Sequence, residues 1–149
     1  MTLLELLNKD LIKVPLTGTS KEEILRELVS LAEKSGAVKD GALALEGVHT
    51  REAMGSTGLE RGIAIPHAKT DGVSRIVLTI GIKPEGVEFQ SLDGNPAKLF
   101  FLILAPPEQA GLHIEILSEI AKITKSAAFC RLLEAVRNAD EVLELFQED

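Results

Sequence analysis

Leu99-Phe100-Phe101-Leu102-Ile103-Leu104 is continuously apolar, and Pro106 and Pro107 stop it. A strand with one face in water alternates polar and apolar residues. Six apolar residues in succession read instead as a central strand covered on both faces. Upstream, Ile76, Leu78, Ile80 and Ile82 alternate with Val77, Thr79 and Gly81, so this strand too is apolar on both sides. Between the two, Lys83-Pro84-Glu85-Gly86 reads as a turn and Val87-Glu88-Phe89 as a short strand.

Helical patterns lie on either side of these strands. Ser20-Lys21-Glu22-Glu23 forms a capping box ahead of Ile24, Leu25, Leu28, Val29, Leu31 and Ala32 at helical spacing, and Gly36 is a suitable stop. Asp40 opens a second helix that runs to Met54 and ends at Gly55, with Arg51 in its last turn. Beyond Pro107 one stripe holds Leu112, Ile116, Leu117, Ile120 and Ala121, and a second holds Phe129, Leu132, Leu133 and Val136. Asn138 to Glu141 resembles a cap before Val142, Leu143, Leu145 and Phe146. Apolar strands flanked by amphipathic helices predict an α/β sandwich. No repeat, linker or low-complexity tract divides the 149 residues, so the length prior gives one domain, 1–149.

Composition excludes several classes. A net charge of −7, with no basic stretch, argues against a nucleic-acid binder. The single cysteine, Cys130, rules out an internal disulfide framework and fits a reducing compartment; within Ala127–Leu132 it reads as a packing residue on a helix. The N-terminal apolar stretch meets Asn8, Lys9 and Asp10 too soon for a membrane span or a signal-peptide core, and no long apolar segment follows. The expected location is the cytoplasm.

The chemistry concentrates in Gly55-Ser-Thr-Gly-Leu-Glu-Arg-Gly-Ile-Ala-Ile-Pro-His67. Ile63-Ala64-Ile65 reads as a short strand. Pro66 holds Ile65 extended and fixes its own φ, which brings the chain to His67 on a stiff lead. An imidazole is largely neutral near pH 7 and therefore nucleophilic. The Gly-Ser-Thr-Gly segment can offer N–H groups and hydroxyls to an anion. Together these point to a histidine that accepts a phosphoryl group; an ordinary turn with no ligand is the other reading. A nucleotide-binding P-loop is excluded, because its second glycine would fall on His67.

Arg51-Glu52-Ala53-Met54-Gly55-Ser56-Thr57-Gly58 and Gly62-Ile63-Ala64-Ile65-Pro66-His67-Ala68-Lys69 resemble the signature of the fructose–mannitol class of enzyme IIA domains. These belong to the bacterial phosphoenolpyruvate-dependent sugar phosphotransferase system, and the nitrogen-regulatory IIA proteins share the signature. The likeness continues through Ser91-Leu92-Asp93-Gly94, the apolar run ending at Ala105-Pro106, and Gly111-Leu112-His113. It implies a mixed central sheet with helices on both faces. It also implies that His67 accepts phosphate from phosphorylated HPr and passes it to a cysteine of a IIB component, for coupled sugar uptake, with no metal or cofactor. A regulatory IIA protein that controls partner proteins by its phosphorylation state is the second implied function. The sugar is unreadable, since IIA does not contact it.

The resemblance also suggests roles for individual residues. His113 becomes an assisting histidine near the acceptor; taken alone it reads as a capping or solvent-facing residue. Arg51 becomes a bidentate phosphate ligand, against its ordinary use in complementing a helix C-terminus. Ser56 and Thr57 are candidate phosphate donors by their place in the turn, with holding the turn itself the favoured role. His49 matches no family role. Glu60 and Arg61 depart from the small, polar or basic residues usual in the class and bear on partner choice. A metal-dependent hydrolase built on His49, His67 and His113 is disfavoured, because these lack paired helical spacing.

Overall fold

The computed structural model describes residues 2–147. Met1, Glu148 and Asp149, which complete the expected 1–149 domain, lie outside the described residues. The central strand of the sequence reading is β5, Ala97–Ala105. It pairs antiparallel with β4, Val77–Val87, in a ladder that runs from Val77 opposite Leu104 to Ile82 opposite Leu99. On the far side of β4 lies β1, Ile12–Lys13, parallel to it. On the far side of β5 lie β2, Ile63–Ala64, and β3, His67–Lys69, both parallel to it.

The two short strands keep one register. Ile63 faces Leu99 and His67 faces Ile103, so they are a single edge strand interrupted at Ile65-Pro66. Proline has no N–H to give a ladder and is tolerated at an edge. The interruption still holds its place, since the Ile103 N–H donates to the Pro66 carbonyl at 3.1 Å. His67 therefore does not trail a finished strand, as the sequence suggested; it opens the next segment of the same one.

Alternate side chains of β5 go to opposite faces, and each face carries its own core. Phe100, Leu102 and Leu104 pack with Ile24, Leu25, Leu28 and Val29 of α2 (Lys21–Ala32) and with Ala44 and Val48 of α3 (Gly41–Ala53). Leu99, Phe101 and Ile103 pack with Ile116 and Ile120 of α4 (Ala110–Ile123), Cys130 and Leu133 of α5 (Ala127–Glu134), and Val142 and Phe146 of α6 (Ala139–Gln147). A short α1, Leu3–Leu6, adds Leu3 to that second core. The six residues Leu99 to Leu104 are all buried, and each such side chain contributes about 2 kcal/mol by leaving water. The mixed sheet with helices on both faces is the fold that the resemblance implied.

Several caps are as expected. Ser20 accepts from the Glu23 N–H, Asp40 from Leu43 and Asn138 from Glu141. Glu23 does not close a capping box on Ser20; its carboxylate takes the Thr19 N–H and hydroxyl instead. Two other expectations fail. Lys83-Pro84-Glu85-Gly86 is no turn between strands, because β4 continues through it, with an irregularity in register, until Val87 pairs with Ala97. Glu88 and Phe89 consequently fall outside any strand. Gly81 is required where it stands, since a Cβ there would lie 2.6 Å from both methyl carbons of Leu16.

Candidate active site

β3 opens beside α3 on one face of the sheet and α4 on the other, so its first residue stands where both helices meet the edge. Strand alternation sends Ala68 into the α3 core, and His67 takes the opposite side, toward α4. The His67 ring lies edge-on to His113, with centroids 5.4 Å apart and planes at 61°. His113, in the first turn of α4, is buried. The two histidines the sequence singled out are thus neighbours.

His67 is held in one protonation form by its surroundings. Its Nδ1 is 2.8 Å from the Ile65 carbonyl oxygen. A carbonyl only accepts, so the proton of the neutral ring resides on Nδ1 and the lone pair on Nε2. Burial holds the His67 pKa below the usual imidazole value; the Ile65 bond and the Glu52 charge oppose this, and the charges of Arg51 and Lys69 add to it. Burial pushes His113 further, down to about 4, with the neighbouring His67 and Lys69 contributing. Both rings are neutral at pH 7. The His113 Nε2 is buried without a hydrogen-bond partner.

A groove of about 400 Å³ opens over the pair. Gly47, Thr50 and Arg51 of α3, with Met54 at its C-terminal cap, form one wall, and His113, Ile114 and Leu117 of α4 the other, with His67, Ala68 and Lys69 as the floor. Arg51 donates from Nη1 to the Gly55 carbonyl at 2.8 Å, which serves the helix end. A guanidinium has five N–H donors, so this bond leaves most of them free for a ligand. Lys69 brings a second cation, which the sequence reading missed although the spacing shows it: His67 and Lys69 are two apart on a strand and share a side. Met54 and Ile114 are highly exposed for apolar residues and give the groove an apolar rim.

The remaining candidates do not join the groove. The Ser56 hydroxyl donates to the Phe89 carbonyl at 2.6 Å and accepts from the Gly58 N–H at 3.0 Å. Thr57 is buried; its hydroxyl and its N–H both donate to the Glu52 carboxylate. Both side chains are engaged within the turn, Ser56 with backbone and Thr57 with Glu52. The Gly55–Gly58 segment, which the sequence offered as an anion cradle, does not line the groove; α3 forms that wall. His49 sits 2.8 Å from Glu22 on the side of α3 that faces α2, apart from the other histidines. Arg61, with φ of +60°, donates to the Lys125 carbonyl at the end of α4 and is fixed there. Cys130 is buried, as expected of a packing residue, and burial pushes its thiol pKa up. Among the described residues no helix is long and apolar enough to cross a membrane.

A neutral imidazole bonded through Nδ1 to backbone, a second neutral histidine at its edge and two cations in an open groove define an α/β protein with a paired-histidine site at the sheet edge. The chain belongs to the EIIA 2 family of the phosphoenolpyruvate-dependent sugar phosphotransferase system, whose family model matches residues 5–149. Components of this kind are phosphotransferase relay proteins that carry phosphohistidine. The chain is 33% identical over 148 residues to the fructose-specific EIIABC component of Bacillus subtilis; the match takes in 99% of this chain and 23% of that protein. The chain thus spans less than a quarter of that relative. Among solved structures, the nitrogen regulatory protein IIA-Ntr from Neisseria meningitidis superposes with a TM-score of 0.88 at 31% identity, over 96% of this chain and 97% of the other. The mannitol enzyme IIA of Escherichia coli, solved in complex with phosphorylated mannitol enzyme IIB, gives 0.82 at 25% identity, over 96% and 98%.

Proposed function

We propose that residues 1–149 act as a single cytoplasmic IIA domain in which His67 receives a phosphoryl group from the phosphohistidine of HPr. It then passes the group to a cysteine of a sugar-specific IIB component. The observation that carries this reading is the Nδ1 bond to Ile65, which leaves the nucleophilic lone pair on Nε2. In the first half-reaction that lone pair attacks phosphorus in line with the donor's P–N bond. A bond forms to Nε2 while the donor bond breaks, and its electron pair returns to the donor imidazole. The transferred group is nearly free in such a transition state, so positioning and offset of charge supply the rate. Arg51 and Lys69 offset the charge on the equatorial oxygens, and His113 contacts one of them. The apolar rim of Met54 and Ile114 suits a protein partner.

A second reading, a regulatory IIA protein that binds targets according to its phosphorylation state, is favoured by the likeness to the Neisseria IIA-Ntr protein. Both readings share the first half-reaction. Incubation with phosphoenolpyruvate, enzyme I and HPr is expected to add one phosphoryl group, stable to alkali and labile to acid. His67→Ala should fold and gain none; undiminished labelling of that variant overturns the assignment. Transfer onward to a IIB protein, against capture of other proteins by only one phosphorylation state, separates carrier from regulator.

A further inference from the structure

Glu52 is the least expected charged group near the site. It follows Arg51 on α3, yet its side chain is only 6% exposed and lies behind the groove rather than in it. A buried carboxylate is costly unless its oxygens are satisfied. Here Oε1 accepts from the Thr57 N–H at 3.1 Å and from Lys21 Nζ at 2.9 Å, while Oε2 accepts from the Thr57 hydroxyl. Lys21 is itself braced by the Gln90 side chain at 3.2 Å and lies 4.6 Å over the Phe89 ring. Two bonds from a single threonine, one to each oxygen, fix how that residue is turned.

What Thr57 then does leads to the histidine. Its carbonyl accepts the Ile65 N–H at 3.1 Å. Ile65 precedes proline, which confines its ψ to extended values, and Pro66 has a fixed φ. Once the Ile65 N–H is held, its carbonyl has little freedom left. That carbonyl is the group bonded to His67 Nδ1. We infer that Glu52 is a positioning residue for group transfer at His67, acting through Thr57 and the stiff Ile65-Pro66 segment on the orientation and tautomer of the ring. The inference rests on the reading of His67 as acceptor. It explains why a carboxylate, which would repel a phosphoryl group placed against it, is kept one layer back and neutralised from behind by Lys21.

The test compares Glu52→Gln, Thr57→Val, Thr57→Ser and the Glu52→Gln/Thr57→Val double variant in the full chain. Thermal unfolding establishes folding, ring ¹⁵N shifts give the His67 tautomer, and transfer from phosphorylated HPr gives the rate. The parent should show a proton on Nδ1 alone. Glu52→Gln and Thr57→Val should each mix the two tautomers and slow transfer by about tenfold or more, as expected for a displaced reacting group. Thr57→Ser should restore both readouts. The double variant should be no slower than the worse single one, because both break one chain of contacts. A single Nδ1–H tautomer with the parent rate in folded Glu52→Gln and Thr57→Val overturns the inference, as do losses that multiply in the double variant. Should Glu52→Gln not fold, Thr57→Val against Thr57→Ser decides alone. Labelling of His67→Ala would overturn the acceptor assignment instead, and leaves the tautomer result independent of it.

Discussion

His67 and His113 are the same residue type 5.4 Å apart, and their surroundings give them different work. His67 is partly exposed on a strand edge with Nδ1 tied to backbone; His113 is buried on a helix with an unpartnered Nε2. The first is suited to attack and the second to support. Arg51 is placed for two uses. Its bond to Gly55 is the helix-end role that sequence reasoning weighed against phosphate binding, and its place in the groove wall leaves the other role open as well. Arg51→Lys separates them: it keeps a cation that can reach a helix-end carbonyl and loses the planar fork. Transfer from phosphorylated HPr should slow about tenfold with the thermal midpoint nearly unchanged, since one charge-assisted bidentate contact is worth about 1.5–3 kcal/mol. Parent kinetics in a folded Arg51→Lys protein would return Arg51 to the helix end alone.

The short edge strand is the element on which the site depends, and it is braced from outside by a loop. Leu59 donates to the Ile63 carbonyl and Ile65 to that of Thr57, while the Leu92 N–H donates to the Gly58 carbonyl. The two loop signatures seen in the sequence, Gly55–Gly58 and Ser91–Gly94, are therefore two sides of one contact. Gly58 is where they touch: a Cβ there would lie 2.5 Å from the Ser91 hydroxyl and 3.0 Å from its Cα. Ser91 can turn its hydroxyl away, but its backbone cannot move without pulling Leu92 from Gly58. Gly58→Ala should cost about 1–3 kcal/mol as an overpacked site. It should also slow transfer, because the loop it displaces holds Ile65. Unchanged urea midpoints and transfer rates would show the loop to be slack. Periodicity could reveal the long strand β5 and the helices, whose cores repeat a pattern many times. It could not reveal β1, two residues long, nor that β2 and β3 share a register across a proline, since these follow from pairings between distant segments; nor could it reveal that Glu52 and Thr57 meet, since that contact depends on how the turn after α3 folds back on the helix. That His67, His113 and Arg51 come together in one groove was legible because a motif carried them. For Ser56 and Thr57 the two readings stayed open, because a hydroxyl near a nucleophile looks the same in sequence whether it faces a ligand or, as Thr57 does, a buried carboxylate.

At the scale of the whole molecule, the site imposes a pH dependence on folding. His113 is buried on the α4 face of the sheet, and its pKa falls from 6.5 to about 4, so the native state keeps the ring neutral where the unfolded chain would charge it. Between those two values the unfolded state binds more protons, and stability must fall as the pH falls through that window. Above pH 6.5 the ring is neutral in both states and contributes no slope; below about 4 it is charged in both, and the slope ends. Two and a half units correspond to about 3 kcal/mol at 1.36 kcal/mol per unit, of which about 2–3 kcal/mol is reached by pH 4.5. His67, lowered in the same direction, adds to this. The carboxylates held below their usual values, Glu23, Glu27 and Asp93, lose their contribution only at more acid pH, because their unfolded values are 4.5 or lower. Urea unfolding of the parent at pH 7.5, 5.5 and 4.5 should therefore show a steady loss before the carboxylates titrate. His113→Gln keeps a polar side chain of similar reach but cannot titrate, and its loss over the same range should be smaller by about 2–3 kcal/mol. Equal losses in parent and variant would mean that His113 titrates at the same pH in the folded and the unfolded chain, and that burial does not hold its ring neutral between pH 6.5 and 4.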